Sequence, residues 1–197
     1  MRIGIDIDDT ITNSTHFIDL YAKKYDNSVK ILKDRYLLTE RYHWSKEKCD
    51  DFWCKYVDSI MNNVTVKENA VYYINKLYDE GNSIYIITAR SNDYSLNVKE
   101  ITKKFIKDIG LKYTEIIFDS TKKEIDCIEK DIDVMIDDSP FHAYDFMGAN
   151  VPFLLMRNDY NRSMDCPKVS SWKEVYEILT RRWSYGWSRK LWSFNKT

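Results

Sequence analysis

The sequence predicts an α/β protein: a parallel sheet with helices on both faces, interrupted by a helical insertion after the first strand. Three observations predict it. Five short apolar runs, rich in β-branched residues, are bounded by polar residues or glycine. From Ala70 onward, helical patterns alternate with these runs, the order that builds parallel strands through crossover helices. Between the first run and the helix at Asn69, about 60 residues carry helical spacing and no strand signal, a length that a compact domain rarely leaves unstructured.

The elements follow in order. The first strand, 3–8, alternates Ile3, Ile5 and Ile7 with Gly4, Asp6 and Asp8, and ends in acid. In the insertion, 17–25 and 46–61 read as helices, the second repeating Phe52, Trp53, Tyr56, Val57 and Ile60 at helical spacing. A helix over 69–80 carries Val71, Ile74, Leu77 and Tyr78 and stops at Gly81. The second strand is 83–88. A helix over 94–109 carries Leu96, Val98, Ile101, Phe105, Ile106 and Ile109 and stops at Gly110. Strands follow at 114–118, 132–136 and 151–156, with a short helix over 124–130 between the first two. Ser139-Pro140 reads as a helix cap with proline at the first helical position. Ser171 and Glu174 stand at capping-box spacing before Val175, Ile178 and Leu179. Residues 1–13 and 68–197 are therefore expected to form one core, and 14–67 a helical cap.

Composition narrows the function. A chain of 197 residues is one domain carrying an insertion, and it buries a full core without disulfides or metal. Lys and Arg number 30 against 31 Asp and Glu, a net charge of −1, so neutralising nucleic-acid phosphates is not its expected work. No run of about 18 apolar residues suits a membrane span, and the opening Met-Arg-Ile-Gly-Ile-Asp lacks a signal core; a cytoplasmic protein is expected. Cys49, Cys54, Cys127 and Cys166 form no Cys-x-x-Cys pair and have no zinc spacing. They read as idle thiols, although a Cys49–Cys54 disulfide stays open. His16, His43 and His142 are scattered and carry no assigned chemistry.

An open parallel sheet gathers its ligands at the carboxyl ends of its strands. Asp6, Asp8, Asp9 and Thr10 follow the first strand, Thr88, Ala89 and Arg90 the second, and Asp137, Asp138 and Ser139 the fourth. Lys122 and Lys123 stand at the start of the helix that precedes the fourth strand. Carboxylates crowded together repel and are costly to bury unpaired. A hard divalent cation resolves the conflict, and Mg²⁺ takes few carboxylates, keeps waters and accepts phosphate oxygens. One such acid cluster reads equally well as a cap or a solvated turn. Two clusters at two strand ends, with Thr and Lys between them in order, do not.

These residues resemble a family. Asp6-Ile7-Asp8-Asp9-Thr10, Thr88, Lys122/Lys123 and Asp137-Asp138 are similar to the four motifs of the haloacid dehalogenase (HAD) superfamily of phosphatases, over essentially the whole chain. The insertion lies where the first class of HAD caps is placed. Thr88-Ala89-Arg90 and Ile136-Asp137-Asp138-Ser139-Pro140 resemble the 5′(3′)-deoxyribonucleotidase group and its bacterial relatives.

The resemblance implies a HAD-like, Rossmann-like three-layer core and a Mg²⁺-dependent phosphomonoesterase. It implies Asp6 as nucleophile and Asp8 as general acid and base. Thr88 and Lys123 would hold the phosphoryl oxygens. Asp6, the Asp8 carbonyl and Asp138 would hold the metal, with Asp137 direct or through water. Either Lys122 or Lys123 fits the lysine motif, and the helix start favours Lys123. Arg90 reads as a substrate contact or as a satisfied surface residue. The implied partner is a small phosphorylated substrate, a nucleoside monophosphate. A phosphoacceptor receiver domain also uses Asp, Thr and Lys on a parallel sheet, but its Lys follows the Thr at the last strand and it has no such insertion. A HAD-fold binding module without activity is the other alternative, and no motif residue is missing here to support it.

Tyr36, Tyr42, Trp44, Phe52, Trp53 and Tyr56 crowd the insertion. Most read as its packing core, with one or two free to stack on a base. From Thr180 to Thr197 basic residues alternate with aromatics and no acid appears. That segment reads as a terminal arm laid on the domain or on a second subunit of a homodimer.

Overall fold

The computed structural model describes residues 1–149 and 151–183, with Arg182 and Trp183 as backbone alone. Six parallel strands form one sheet: β1 (Arg2–Ile5), β2 (Ser83–Ile87), β3 (Glu115–Ile117), β4 (Val134–Asp137), β5 (Phe153–Met156) and β6 (Lys168–Val169). Their order is β3-β2-β1-β4-β5-β6, so the chain reverses its direction of travel beside β1. β1 is hydrogen-bonded on both sides, pairing Ile3 with Ile84 and with Val134. A Cβ on Gly4 would lie 2.7 Å from the Met135 sulfur, so any larger residue there would push the Met135 side chain aside.

Helices cover both faces. Ile74 and Leu77 of α4 (Ala70–Asp79), Ile106 of α5 (Val98–Asp108) and Trp172, Val175 and Leu179 of α8 (Trp172–Trp183) share one buried cluster with Ile3, Ile5 and Ile84. Cys127 of α6 (Lys123–Glu129) and Ala143 and Phe146 of α7 (Pro140–Ala149) pack on Ile87, Met135 and Leu155 of the other face. This is the expected three-layer α/β architecture. Gly81 and Gly110 end α4 and the α5 region with φ of +88° and +66°, the left-handed stop that the sequence signalled.

Between β1 and α4 come α1 (Ser14–Tyr25), α2 (Leu38–Tyr42) and α3 (Lys46–Asn63). They close on their own cluster of Ala22, Tyr42, Trp44, Cys49, Phe52, Ile60 and Val64. The chain leaves and re-enters the sheet region through a narrow stem. Thr12 bridges Val66 antiparallel, the Asn13 N–H donates to the Thr65 carbonyl at 2.9 Å, and the Lys67 N–H to the Ile11 carbonyl at 2.8 Å.

Several expectations shift. β1 is shorter than 3–8, because after Ile7 the chain turns sharply, with Asp9 at φ +53°. The helix expected from residue 94 begins at Val98: Ser91 and Ser95 hydroxyls accept the Asp93 and Asn97 N–H groups, a local pairing that competes with helix. β6 and α2 were not anticipated as separate elements. Ser171 does accept the Glu174 N–H at 3.2 Å, while Glu174 reaches the Ser170 N–H instead of that of Ser171. All four cysteines are free thiols. Among the described residues no helix is long and apolar enough to cross a membrane. The basic aromatic arm, from residue 184 on, lies outside the described residues.

Candidate active site

The adjacent β1 and β4 bring their acids together. The Asp6 N–H donates to the Ile136 carbonyl at 3.0 Å, which locks the end of β1 to β4. Asp6, Asp137 and Asp138 each present an oxygen within 4.8 Å of the others, and all three are buried. Lys123, the first residue of α6, lies between the strands. Its Nζ donates to Asp6 Oδ1 at 2.5 Å and to Asp137 Oδ2 at 2.7 Å, and the side chain is only 3% exposed. Lys122 is exposed.

The electrostatics follow. Burial lifts the Asp6 carboxyl to about 7; Lys123 opposes the rise and Asp137 adds to it. Burial and the Asp137, Asp9 and Asp6 carboxylates push Asp138 well above its ordinary value. Burial alone would pull the Lys123 ammonium down, but Asp137 and Asp6 more than reverse that. Ionised together, three carboxylates with one ammonium would leave two negative charges uncompensated, which is the strain those raised values express. Hard oxygen donors with that residual charge fit a divalent cation.

Thr88, the residue after β2, is fully buried, and its Oγ1 accepts the Arg90 N–H at 3.2 Å. That leaves its own hydroxyl proton for an acceptor above the strand end. Ser139 N–H fixes Asp137 Oδ1 at 2.7 Å, and Thr10 Oγ1 donates to Asp138 Oδ1 at 3.1 Å.

Asp8 does not join the cluster. Arg90 grips it with two parallel bonds, Nε to Oδ2 at 2.9 Å and Nη2 to Oδ1 at 2.7 Å, and Ser14 Oγ donates to Oδ1 at 2.5 Å. Burial would raise Asp8, but the Arg90 charge and hydrogen bonds outweigh it, so its carboxyl lies below the ordinary value. Arg90 is therefore no surface residue, although it does line the cavity that opens over the cluster. It is buried, anchored through Nη1 to Thr102 Oγ1 at 3.0 Å, and ion-paired with Asp8.

A cavity of about 370 Å³ opens over these groups. Its floor includes Asp6, Asp8, Lys123, Asp137 and Asp138; Ile18, Tyr36, Trp53, Val57 and Met61 of the insertion form its roof. Trp53 faces Tyr94 of the core at 6.3 Å between ring centroids, with 29° between planes. Tyr42, Trp44 and Phe52 are instead buried inside the insertion. Sequence reasoning missed Tyr160 and Asn161, which follow β5. The Tyr160 hydroxyl lies within hydrogen-bond reach of both Asp9 and Asp138 and can donate to either, and Asn161 Nδ2 holds the Asp138 carbonyl at 2.8 Å. Reading the carboxyl end of the fifth strand as closely as the others would have found them. His142 also lines the cavity, its Nδ1 buried without a hydrogen-bond partner.

A family model described as 5′ nucleotidase, deoxy (pyrimidine), cytosolic type C protein matches residues 1–183. A nucleotidase of Clostridium acetobutylicum is 25% identical over 187 residues, spanning 92% of this chain and 94% of that protein. A solved structure of a predicted phosphatase from Clostridium acetobutylicum aligns with TM-score 0.66 at 17% identity, covering 91% of this chain and 98% of that one. A HAD family hydrolase from Deinococcus radiodurans R1, solved with bound phosphate and sodium, aligns with TM-score 0.62 at 12% identity, covering 91% and 95%. At these identities the two structures attest the fold.

Proposed function

The chain belongs to the 5′ nucleotidase, deoxy (pyrimidine), cytosolic type C family of HAD phosphatases, which makes it a phosphoric monoester hydrolase, and on that premise we propose that it hydrolyses nucleoside monophosphates through an aspartyl-phosphate on Asp6, with Mg²⁺. The observation that carries this reading is the buried cluster of Asp6, Lys123, Asp137 and Asp138 on the floor of a cavity whose roof includes Tyr36 and Trp53. In it, residues 14–67 act as a cap and residues 1–13 with 68–197 as the core. A cytoplasmic place of action belongs to the same reading and is supported by the four free thiols.

Asp6 attacks phosphorus, the ester P–O bond breaks, and the leaving oxygen takes a proton from Asp8. Asp8 then takes a proton from water as the water oxygen attacks phosphorus, and the bond to Asp6 breaks to release phosphate. Its pairing with Arg90 favours the carboxylate, the form that accepts this proton; donating one requires that pair to open. Lys123 and the free Thr88 hydroxyl proton hold the phosphoryl oxygens. Mg²⁺, held by Asp6, Asp138 and the Asp8 carbonyl, with Asp137 direct or through water, would neutralise charge on those oxygens.

A phosphatase screen over nucleoside monophosphates, sugar phosphates and phospho-amino acids tests the substrate class. Nucleoside monophosphates are expected to rank first by kcat/KM. A sugar phosphate in that place would remove the nucleotide assignment and leave the phosphatase.

A further inference from the structure

A second cavity, also about 370 Å³, lies behind the catalytic one. Asp9, Thr15 and Arg41 line both, so they form a shared wall. Its other walls come from separate stretches of chain: His16 and Lys33 from the insertion, Lys67 from the stem, and Arg157 and Arg162 from the segment after β5. The catalytic chemistry uses none of these.

The charges here are unbalanced. Arg41 is committed to Asp19 and Arg162 to Asp159. Lys33, Lys67 and Arg157 form no ion pair with any carboxylate among the described residues; Lys67 Nζ donates only to the Asn158 amide oxygen, at 3.2 Å. Against these three cations the cavity offers only two carboxyl groups among the described residues: Asp9, which Thr15 and Tyr160 already hold by hydrogen bonds, and Asp159, which pairs with Arg162. α1 starts beside the cavity, and Asp9 Oδ1 already accepts the Thr15 N–H of its first turn at 2.9 Å. It is the cations that favour an anion: three of them, from three separate segments and without a carboxylate ion pair among the described residues, line one cavity.

Three cations from three separate segments are more than one phosphate group needs, and the cavity is many times the roughly 30 Å³ of a water molecule. We propose that this cavity is a binding site for a linear oligophosphate, either free or as the tail of a nucleotide. A ligand touching Lys33 and Arg157 together ties the insertion to the core. It also lies against Tyr160, whose hydroxyl reaches both Asp9 and Asp138, so occupancy is felt at the catalytic acids.

Calorimetric titration with inorganic tripolyphosphate, and separately with a nucleoside triphosphate, tests the site, with Mg²⁺ in excess throughout. Three proteins are compared: the native chain, the double variant Lys33→Gln/Arg157→Gln, and Thr88→Ala, which alters the catalytic floor. The native chain and Thr88→Ala are expected to bind alike. The double variant is expected to bind at least about tenfold more weakly, with its unfolding midpoint unchanged, because neither side chain has a partner to lose. Equal binding by the double variant, loss of binding in Thr88→Ala, or no binding by the native chain would each overturn the proposal. Tighter binding of the nucleoside triphosphate than of tripolyphosphate identifies a nucleotide tail as the source; equal affinity identifies the free oligophosphate.

Discussion

The floor and the roof of the catalytic cavity are made in different ways. The floor consists of strand ends. Asp6 and Asp137 are held through backbone hydrogen bonds and through one ammonium, and each is almost wholly out of solvent. The roof consists of side chains from a separate helical cluster, joined to the core by a stem and by the packing of α3 on α5. The difference suggests a division of labour: a floor tied to the strand ends positions charge, whereas a roof of exchangeable side chains selects what sits above it.

The sharpest way to break this division is at the nucleophile. Asp6→Asn keeps size and hydrogen bonding but removes the attacking charge, so turnover of p-nitrophenyl phosphate should fall by at least about 10⁴-fold, with circular dichroism unchanged. Substantial activity in that variant would move the nucleophile elsewhere on the floor. Metal removal comes next. Enzyme treated with EDTA should be inactive on every substrate and recover with Mg²⁺, because three carboxylates share the floor with a single ammonium and ionise together only beside a cation. Recovery confined to one substrate would place the metal's role in the roof.

Lys123→Met separates chemistry from folding. It leaves Asp6 and Asp137 buried without their cation, a loss of about 3–5 kcal/mol by analogy with other broken buried pairs. Thermal unfolding should show that destabilisation relieved by Mg²⁺, while kcat stays low because the phosphoryl oxygens have lost a partner. The smallest effects belong to the roof. Trp53→Ala should raise KM for nucleoside monophosphates about tenfold and leave p-nitrophenyl phosphate nearly unchanged, as expected for one stacking contact. Trp44→Ala should instead lower stability by about 3–5 kcal/mol and affect both substrates alike. If Trp53 behaved as Trp44 does, selection would have to be assigned to the core loops after Thr88 and Asp138.

Much of this was legible in the sequence, for definite reasons. Buried parallel strands read as apolar runs, so β1 to β5 stood out, and the acids following them marked the floor. β6 did not stand out, because two residues, one of them Lys168, carry no periodicity. The aromatic count of the insertion was visible, but the split between Trp44 inside and Trp53 on the cavity was not. Helical spacing shows that both are on α3 or beside it, and only tertiary packing decides which face meets the core. The pairing of Asp8 with Arg90 was hidden for a related reason. It spans 82 positions, and it depends on β1 and β2 being neighbours with their ends level.

The stem at Thr12 and Val66 has a consequence for how the chain assembles. β1 is made first, yet its partners at Ser83 and Val134 lie far along the chain. The entropy of closing a loop rises only as the logarithm of its length, about 0.6 kcal/mol per doubling, so the long insertion weakens the finished sheet very little. It bears on speed more than on stability, since distant pairings form slowly. If the insertion folds before the sheet, the stem bond of Lys67 to Ile11 would already hold the two ends together. β1 would then search for β2 as though the intervening chain were a short turn, and the segment that roofs the cavity would also serve as a clasp for the nascent sheet.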